Sequence, residues 1–298
     1  MINTGKKALG IDIGGTKIYA AIVDKEGKIL TVPEKYATPK TVEGIKETLS
    51  NIIEKYSKDA SVAAIATAGA VNNENTKILS STANLVEGYS EIDFQSLCPK
   101  PPVFLENDAN CAAWAEHTVG AAKGSAHSIT VTLGTGVGGG IIVNNKLLKG
   151  KSGAAGEMHF KMSLERKRPC TCGTYDCFES YVSGRGLALT YRDILNRDIS
   201  TYQLIERAKE GDAGCILALD IWQRHLADGL IGLNDIFDTE IFVLSGSMAE
   251  FVEVEYVQNL VNKEVVTTPT QVKHASAGNF AGLIGAALLA FNKMQDSL

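Results

Sequence analysis

Residues 9–32 form the stretch LGIDIGGTKIYAAIVDKEGKILTV, in which short apolar runs alternate with polar side chains. Gly14-Gly15 separates the first two runs, and the segment 24–27 separates the next two. Alternation with a period of two, broken by such residues, is typical of β-strands joined by tight turns. The stretch therefore predicts a meander of three strands at the start of the fold.

A second glycine-rich hairpin lies at residues 128–148, SITVTLGTGVGGGIIVNNKLL. Five of the seven residues 134–140 are glycine, and β-branched residues flank them. Because so many glycines cost chain entropy, they indicate a backbone that a ligand approaches closely, with a plain glycine-rich bulge as the alternative. We expect two lobes, each opening with such a hairpin, that present two phosphate-binding turns to one cleft.

The rest of the chain alternates strands and helices. Its length of 298 residues is at the upper end of what one hydrophobic core supports, which also favours two domains. We expect strands at 61–67, 103–106 and 240–245, and helices at 41–58, within 70–98, and at 107–119, 180–196, 201–210, 212–237 and 279–294. This alternation predicts an α/β fold.

The bulk properties exclude several classes of partner. The net charge is −5, which argues against broad binding to nucleic acid or anionic membranes and favours a neutral or locally neutralised small ligand. No segment reaches the roughly 18 consecutive apolar residues of a membrane span. Because the apolar stretch at the N-terminus is also too short for a signal peptide, we expect a cytoplasmic protein.

Three of the six cysteines, Cys170, Cys172 and Cys177, lie within eight residues of one another. In a cytosolic protein, thiols are kept reduced. Such a cluster therefore favours a metal site over disulfide bonds.

The first glycine turn carries the candidate phosphate and magnesium groups. Glycine at 14 and 15 lets backbone N–H groups approach anionic oxygens, and Thr16 and Lys17 follow directly. Asp12, two residues upstream of Gly14, can hold Mg²⁺ through water. A simple hairpin turn beside an acidic residue is the alternative. In the second turn, Thr135 offers both a hydroxyl and an N–H group to one phosphate.

Asp108 lies where a predicted strand runs directly into a predicted helix, in the segment Glu106-Asn107-Asp108-Ala109-Asn110. Asn and Asp are favoured at helix N-termini, so capping is one interpretation of this segment. The same position suits a catalytic carboxylate, because the helix dipole keeps it ionised and the strand end directs it into a cleft.

Two further glutamates and one more turn are candidates for ligand contacts. Glu157 lies in GAAGEM and Glu179 in CFES, beside the cysteine cluster, and both are able to accept hydrogen bonds from a polyol. Each of them alone is better explained as a solvated surface charge. Ser245-Gly246-Ser247 ends an apolar strand before a helix, where either a nucleotide or nothing more than a turn is expected.

The order of these elements resembles the ROK family (repressors, open reading frames and kinases) of the actin/hexokinase superfamily, over nearly the whole chain. Five motifs carry the resemblance: GIDIGGTK at 10–17, LENDAN at 105–110, LGTGVGGGI at 133–141, CTCGTYDCFE at 170–179 and FVLSGS at 242–247. In that order they are similar to the family's first phosphate motif, catalytic segment, second phosphate motif, cysteine signature and adenosine motif.

The resemblance implies a two-lobed actin/hexokinase-like fold, related to ribonuclease H, with the active site in the interlobe cleft. It implies a smaller N-terminal α/β lobe at 1–119, joined by the C-terminal helix at about 286–298. The larger C-terminal α/β lobe is then 120–285 and contains the cysteine cluster. ATP, Mg²⁺ and a structural Zn²⁺ are the implied cofactors.

The resemblance also implies roles by position. Asp108 is implied as the general base that takes the proton from a sugar hydroxyl as that hydroxyl attacks the γ-phosphate of ATP, and Asp12 as the anchor of Mg²⁺. The implied sugar ligands are Gly69, Asn84, Asn107, Asp108, Glu157 and Glu179. The implied nucleotide and phosphate ligands are Asp12, Gly14, Gly15, Thr16, Lys17, Thr135, Gly136 and Gly246.

One departure from the family pattern concerns the metal and the sugar. Family glucokinases usually have Gly-Glu-x-Gly-His, and the interval to Cys170 places Phe160 at the histidine position, with His159 one residue early. Zinc usually takes four ligands, so His159 must reach the three cysteines by a local backbone shift, or water or another group must complete the site, or the loop holds no metal. An aromatic ring at Phe160 in place of a sugar-contacting histidine also argues against a plain glucose pocket.

We therefore expect a kinase that phosphorylates a hexose or hexose derivative at its 6-hydroxyl, with glucose, N-acetylmannosamine or a β-glucoside as candidates. A sugar-sensing transcriptional regulator of the same family is the alternative, which the start of the phosphate hairpin near residue 8 disfavours because it leaves no room for a helix-turn-helix. A non-catalytic nucleotide-binding regulator is disfavoured because the base and both phosphate turns are intact. A homodimer or homotetramer is expected.

Overall fold

The computed structural model describes residues 7–80 and 85–296. The strands are β1 (Lys7–Ile13), β2 (Lys17–Asp24), β3 (Glu34–Ala37), β4 (Val62–Thr67), β5 (Ala70–Val71), β6 (Ile78–Ser80), β7 (Val103–Asn107), β8 (Ser128–Leu133), β9 (Val137–Val143), β10 (Lys146–Leu147), β11 (Ile241–Ser245) and β12 (Gln271–His274). The helices are α1 (Val42–Tyr56), α2 (Asp108–Thr118), α3 (Glu179–Val182), α4 (Gly184–Leu195), α5 (Thr201–Lys209), α6 (Ala213–Phe237), α7 (Val254–Glu264) and α8 (Ala281–Asp296).

The chain forms two compact units. The first comprises Met1–Gly124, Gly140–Gly156 and Ser276–Leu298, and the second comprises Ser125–Gly139 and Glu157–Ala275. One sheet has the strand order β3–β2–β1–β4–β7, and another has the order β10–β9–β8–β11–β12. Both sheets carry parallel strands joined through helices, which confirms the predicted α/β class.

The two faces of the first sheet carry side chains of different size, and helices cover both faces. Its strands β1, β2 and β3 are antiparallel, whereas β1, β4 and β7 are parallel. The face that packs with α1 carries large residues such as Leu9, Ile11 and Ile65. The face that packs with α2 and α8 carries small ones such as Ala8 and Ala64, so that those helices approach closely.

The second unit is organised around the parallel strands β8, β11 and β12 and the long helix α6. Trp222 of α6 is fully buried, and its indole N–H donates to the carbonyl of Ser183 at 3.3 Å. Ser183 is the N-cap of α4, and its hydroxyl accepts the N–H of Gly186. This cap divides the predicted helix 180–196 into α3 and α4.

Two expectations for the first unit were wrong in detail. The third strand of the meander lies at Glu34–Ala37, after Pro33. In the segment predicted to form it, Ile29 makes only an isolated bridge to Val23. In the described part of 70–98 there is no α-helix: the chain makes the β5–β6 hairpin and two 3₁₀ turns. Asn75 lies in that hairpin with φ at 64°. Asn tolerates this left-handed backbone conformation better than most residues.

None of the helices in the described residues is both long and apolar enough to cross a membrane.

Candidate active site

The first glycine turn joins β1 to β2 and is closed by its own backbone. The N–H of Gly14 donates to the carbonyl of Lys17 at 2.9 Å. Its carbonyl groups are held from one side: the Thr38 hydroxyl donates to Gly14 at 2.7 Å, and the Lys40 ammonium donates to Gly15 at 3.0 Å. These bonds give the turn one defined shape. They also place the positive charge of Lys40 beside the turn, which no local sequence pattern predicted.

Asp12 lies in β1, just before this turn, in a partly buried position. Burial, and next the negative charge of Asp108, raise the pKa of Asp12 to about 7. The carboxylate lies against the first turn of α8, since a Cβ at Gly282 would come within 2.6 Å of Asp12 Oδ2. Two carboxylates that repel each other at the end of a sheet form an oxygen-rich setting of the kind that Mg²⁺ prefers.

The raised pKa of Asp12 predicts a pH dependence of stability. Because the folded-state pKa lies above the ordinary value of about 4, the contribution of Asp12 is fully present below pH 4 and is lost as the pH rises through about 7. In metal-free buffer we expect Asp12→Asn to remove a slope of up to about 1.4 kcal/mol per pH unit between those limits. Urea unfolding of wild type and variant at several pH values measures this slope.

The control for this experiment is Asp59→Asn, which removes an exposed aspartate from the same unit. Its stability is expected to follow the wild-type pH dependence. Parallel pH profiles for wild type and Asp12→Asn would contradict the prediction.

The strand-to-helix junction places Asn107 and Asp108 in different roles. Asn107 is the N-cap of α2: its side-chain oxygen accepts the N–H of Asn110 at 3.0 Å, and its amide nitrogen donates to the carbonyl of Gly69 at 3.1 Å. Asp108 is the first helical residue, is exposed, and accepts the N–H of Ala109 at 2.8 Å. The cap is therefore Asn107, and the Asp108 carboxylate lies at the positive end of the helix dipole.

The second glycine turn joins β8 to β9 and is bonded to Glu179. The N–H of Gly134 donates to the carbonyl of Gly136 at 2.9 Å, and the N–H of Val137 donates to Glu179 Oε2 at 3.1 Å. Glu179 is buried, and it also accepts a hydrogen bond from the Thr171 hydroxyl. A Cβ at Gly136 would stand 2.7 Å from Glu179 Oε2, so a larger residue here would displace the Glu179 carboxylate.

The cysteine cluster contains a candidate metal site. Ligand atoms of His159, Cys170 and Cys172 all lie within 4.8 Å of one another, which is the one such group of His, Cys, Asp and Glu in the described residues. The sulfur of Cys177 lies 3.6 Å from that of Cys172. His159 follows Met158, whose φ is 49°, an unusual value for a residue with a side chain. This matches the alternative in which a local backbone shift brings His159 to the cysteines.

Phe160 has a packing role next to this cluster. Its ring stacks on that of Phe178 with a centroid distance of 4.8 Å, and its carbonyl accepts the N–H of Phe178 at 2.9 Å. Phe178 is fully buried against Gly229 of α6. The aromatic residue at the family's histidine position thus anchors the loop to the core of the second unit.

A model of the ROK family matches residues 8–293. The chain belongs to the ROK family. A glucokinase of Streptomyces coelicolor is 32% identical over 311 residues, covering 95% of this chain and 96% of that protein. An N-acetylmannosamine kinase of Yersinia pseudotuberculosis is 31% identical over 292 residues, covering 95% and 98%. The crystal structure of a ROK family glucokinase from Streptomyces griseus in complex with glucose and AMPPNP superposes with a TM-score of 0.79 at 32% identity, covering 96% of this chain and 99% of that one.

The fold is accordingly that of the actin/hexokinase superfamily, and the remaining predicted residues can be placed in this ROK chain. Glu157 is exposed, with an oxygen 3.9 Å from His159 Nδ1. Gly246 follows β11 at φ 86°, and Met248 donates its N–H to the end of β8. Lys17 is exposed at the start of β2. Asn84 lies outside the described residues.

Two residues of the ROK chain had no predicted role although they contact the site. Glu106, within the motif LENDAN, is only 1% exposed and forms an ion pair with Lys149 at 2.6 Å. The sequence signal for Glu106 was its position at the end of the apolar run VFLE, where a charged side chain is unexpected. Lys149 lies 43 positions away in a polar loop, and nothing in its local sequence distinguishes it.

Proposed function

We propose that this chain transfers the γ-phosphate of ATP to the 6-hydroxyl of a hexose or hexose derivative, with Asp108 as the general base. The enzyme class, an ATP-dependent sugar kinase, follows from its ROK membership and its relation to kinases over the full chain. The observation that carries the proposal is the exposed Asp108 carboxylate at the N-terminus of α2, close enough to Asp12 to raise its pKa.

Asp108 has the properties required of a base in phosphoryl transfer. Catalysis of this reaction consists mainly of positioning and of neutralising charge, so the base must be ionised and must face the acceptor hydroxyl. The dipole of α2 favours the ionised form, and the hydrogen bond from the Ala109 N–H holds one carboxylate oxygen. The Asp108 carboxylate is the group proposed to accept the sugar proton.

Mg²⁺ and the ATP phosphates are assigned to the two glycine turns. Asp12 would hold Mg²⁺, which neutralises phosphate charge when bound, and the metal would displace the proton that Asp12 carries near neutral pH. The turn residues proposed to contact phosphates are Gly14, Gly15, Thr16, Lys17, Thr135 and Gly136. The bend at Gly246 is proposed for the adenosine.

The sugar is assigned to groups that donate and accept hydrogen bonds. Asn107 and Gly69, which are bonded to each other, are proposed as sugar ligands in the first unit, together with Asn84. Glu157 and Glu179 are proposed as acceptors for sugar hydroxyls in the second unit. Glucose, N-acetylmannosamine and a β-glucoside are the proposed substrates. Two relatives of this chain are named as kinases of the first two sugars.

A coupled ADP-release assay across a panel of sugars tests the proposed function. Glucose, N-acetylmannosamine, N-acetylgalactosamine and a β-glucoside are supplied separately with ATP and Mg²⁺, and we expect one of them to be strongly preferred. A product phosphorylated elsewhere than at the 6-hydroxyl would contradict the regiochemistry. Sugar binding without any sugar-dependent ADP release would favour the regulator instead.

We also propose that the cysteine cluster binds a structural Zn²⁺ through Cys170, Cys172, Cys177 and His159. The donor set, three thiols and one imidazole, fits the tetrahedral chemistry of zinc. Three of the four groups lie within 4.8 Å of one another, and the fourth, Cys177, is in contact with Cys172. Zinc would hold the segment between Glu157 and Glu179.

The zinc proposal predicts about one zinc per chain in the purified protein. We expect Cys172→Ser to lose the metal and to melt at a lower temperature, whereas Cys98→Ser, which removes a thiol outside the cluster, keeps both. Elemental analysis and thermal melting with and without chelator measure this. A zinc-free wild type whose melting is unchanged by chelator would favour a loop held without metal.

A further inference from the structure

Glu106 is a buried carboxylate that accepts four hydrogen bonds. It lies at the end of β7 directly before Asn107, and its side chain is 2% exposed. Buried charges are costly unless they are fully paired, so a group of this kind is expected to be held in one position. Every donor around it belongs to a segment that carries or adjoins a proposed sugar or base residue.

The two oxygens of Glu106 bond to different parts of the first unit. Oε1 accepts the N–H of Asn107 at 2.9 Å and the side-chain amide of Asn110 at 3.0 Å, both at the start of α2. Oε2 accepts the side-chain amide of Asn75 at 2.9 Å and the ammonium of Lys149 at 2.6 Å. One oxygen thus holds the catalytic segment, and the other holds two loops.

These two loops also contact each other. Asn73, in the β5–β6 hairpin, donates its side-chain amide to the carbonyls of Gly150 and Lys151, at 3.2 and 2.9 Å. Gly153 comes so close to the Val71 carbonyl that a Cβ would stand 1.9 Å from it. The hairpin follows Gly69, and the segment 149–156 leads directly into Glu157.

We propose that Glu106 and Lys149 are positioning residues that set the orientation of the Asn107-Asp108 segment together with the loops following Gly69 and preceding Glu157. The inference rests on the proposed function, since the residues being oriented are the proposed base and sugar ligands. Neither Glu106 nor Lys149 touches the reacting atoms. Their effect passes through the hydrogen bonds of one carboxylate.

A charged pair is needed here because all four groups around Glu106 are donors. A glutamine at this position has only one oxygen and presents N–H groups to other donors. Removal of Lys149 instead leaves a buried carboxylate without its counter-charge, which disturbs both halves of the network. The phosphate turn at Gly14-Gly15 makes none of the four contacts, so ATP binding should be affected less than turnover.

The test compares Glu106→Gln, Lys149→Met, Lys149→Arg and the double variant Glu106→Gln/Lys149→Met with wild type. Lys146→Met is the matched control, because it removes an exposed lysine from the neighbouring strand β10. We expect kcat with the preferred sugar to fall about 10- to 100-fold in both uncharged single variants, with the KM for ATP unchanged. The double variant should be no slower than either single one, and Lys149→Arg should keep most of the activity.

Hydrogen–deuterium exchange supplies a readout that does not depend on activity. In Lys149→Met we expect faster exchange in residues 70–80, 105–112 and 149–156 together, and no change in these segments in Lys146→Met. If wild type releases no ADP with any sugar, the proposed function fails and the exchange result alone supports or overturns the inference. Normal kcat in correctly folded Lys149→Met, or faster exchange confined to 149–156, would overturn it.

Discussion

Asp108→Asn is expected to lose about 100- to 10,000-fold in kcat, the range that a general base contributes, while still binding sugar and ATP. The amide keeps the shape of the side chain and the α2 cap, since the cap is made by Asn107. It lacks the basic oxygen that would take the sugar proton. Steady-state kinetics and calorimetric sugar binding separate these two effects.

A second consequence of the same variant concerns Asp12. The negative charge of Asp108 is the second cause, after burial, of the raised pKa of Asp12. Without that charge the pKa of Asp12 should fall, so fewer protons compete with Mg²⁺ at pH 7. A loss of turnover that excess Mg²⁺ restores would contradict the assignment of Asp108 as the base.

The control for Asp108→Asn is Glu43→Gln. Glu43 is the acidic residue in the first turn of α1, so the substitution removes a comparable helix-dipole interaction away from the proposed chemistry. We expect wild-type turnover and a similar small change in melting temperature. Full activity of Asp108→Asn would contradict the assignment of Asp108 as the base, independently of the result for Glu43→Gln.

Gly285→Ala is expected to lower the free energy of unfolding by about 3 kcal/mol or more, the upper range for overpacking a core. A Cβ at Gly285 would stand 1.8 Å from the carbonyl oxygen of Cys111, so α8 and α2 must move apart. Relief by a side-chain rotation is impossible, because the atom encountered belongs to the backbone. Chemical unfolding with a probe in the first unit, such as Trp114, measures the loss.

The matched control is Gly232→Ala in α6. Gly232 is also a helical glycine, but apart from its chain neighbours and its own helix backbone, no atom lies within 4 Å of the position that its Cβ would occupy. The same substitution should there be neutral or stabilising by up to about 1 kcal/mol, because alanine favours the helix. Equal effects at the two positions would show that the close approach of α8 and α2 does not govern stability.

The sequence predicted those elements whose signals are local. The alternation in residues 9–24 gave β1 and β2, the spacing of Ile45, Leu49 and Ile52 gave α1, and the apolar run after residue 240 gave β11. The β5–β6 hairpin was not predicted within the loop and helix expected at 70–98, because its two strands are very short. Asn75 holds that hairpin through bonds to Leu105 and Glu106, about 30 positions away, which no local pattern reveals.

For the candidate site, the sequence by itself determined the chemical groups. These are a carboxylate at the start of α2, another just before the first phosphate turn, two glycine turns and a cysteine cluster. These follow from residue type and spacing, since glycine turns and helix N-termini are local structures. Only the tertiary structure decided that Asn107 rather than Asp108 caps α2, and that Glu179 bonds to the second turn.

The tertiary structure likewise decided that His159 lies with the cysteines and that Lys149 neutralises Glu106. Each of these contacts joins positions that lie far apart in the chain or depends on a backbone conformation such as that of Met158. Burial makes such pairings specific, because an unpaired charge or donor inside the fold costs several kcal/mol. The pairing partner is thus selected by the packed fold and not by its neighbours in the sequence.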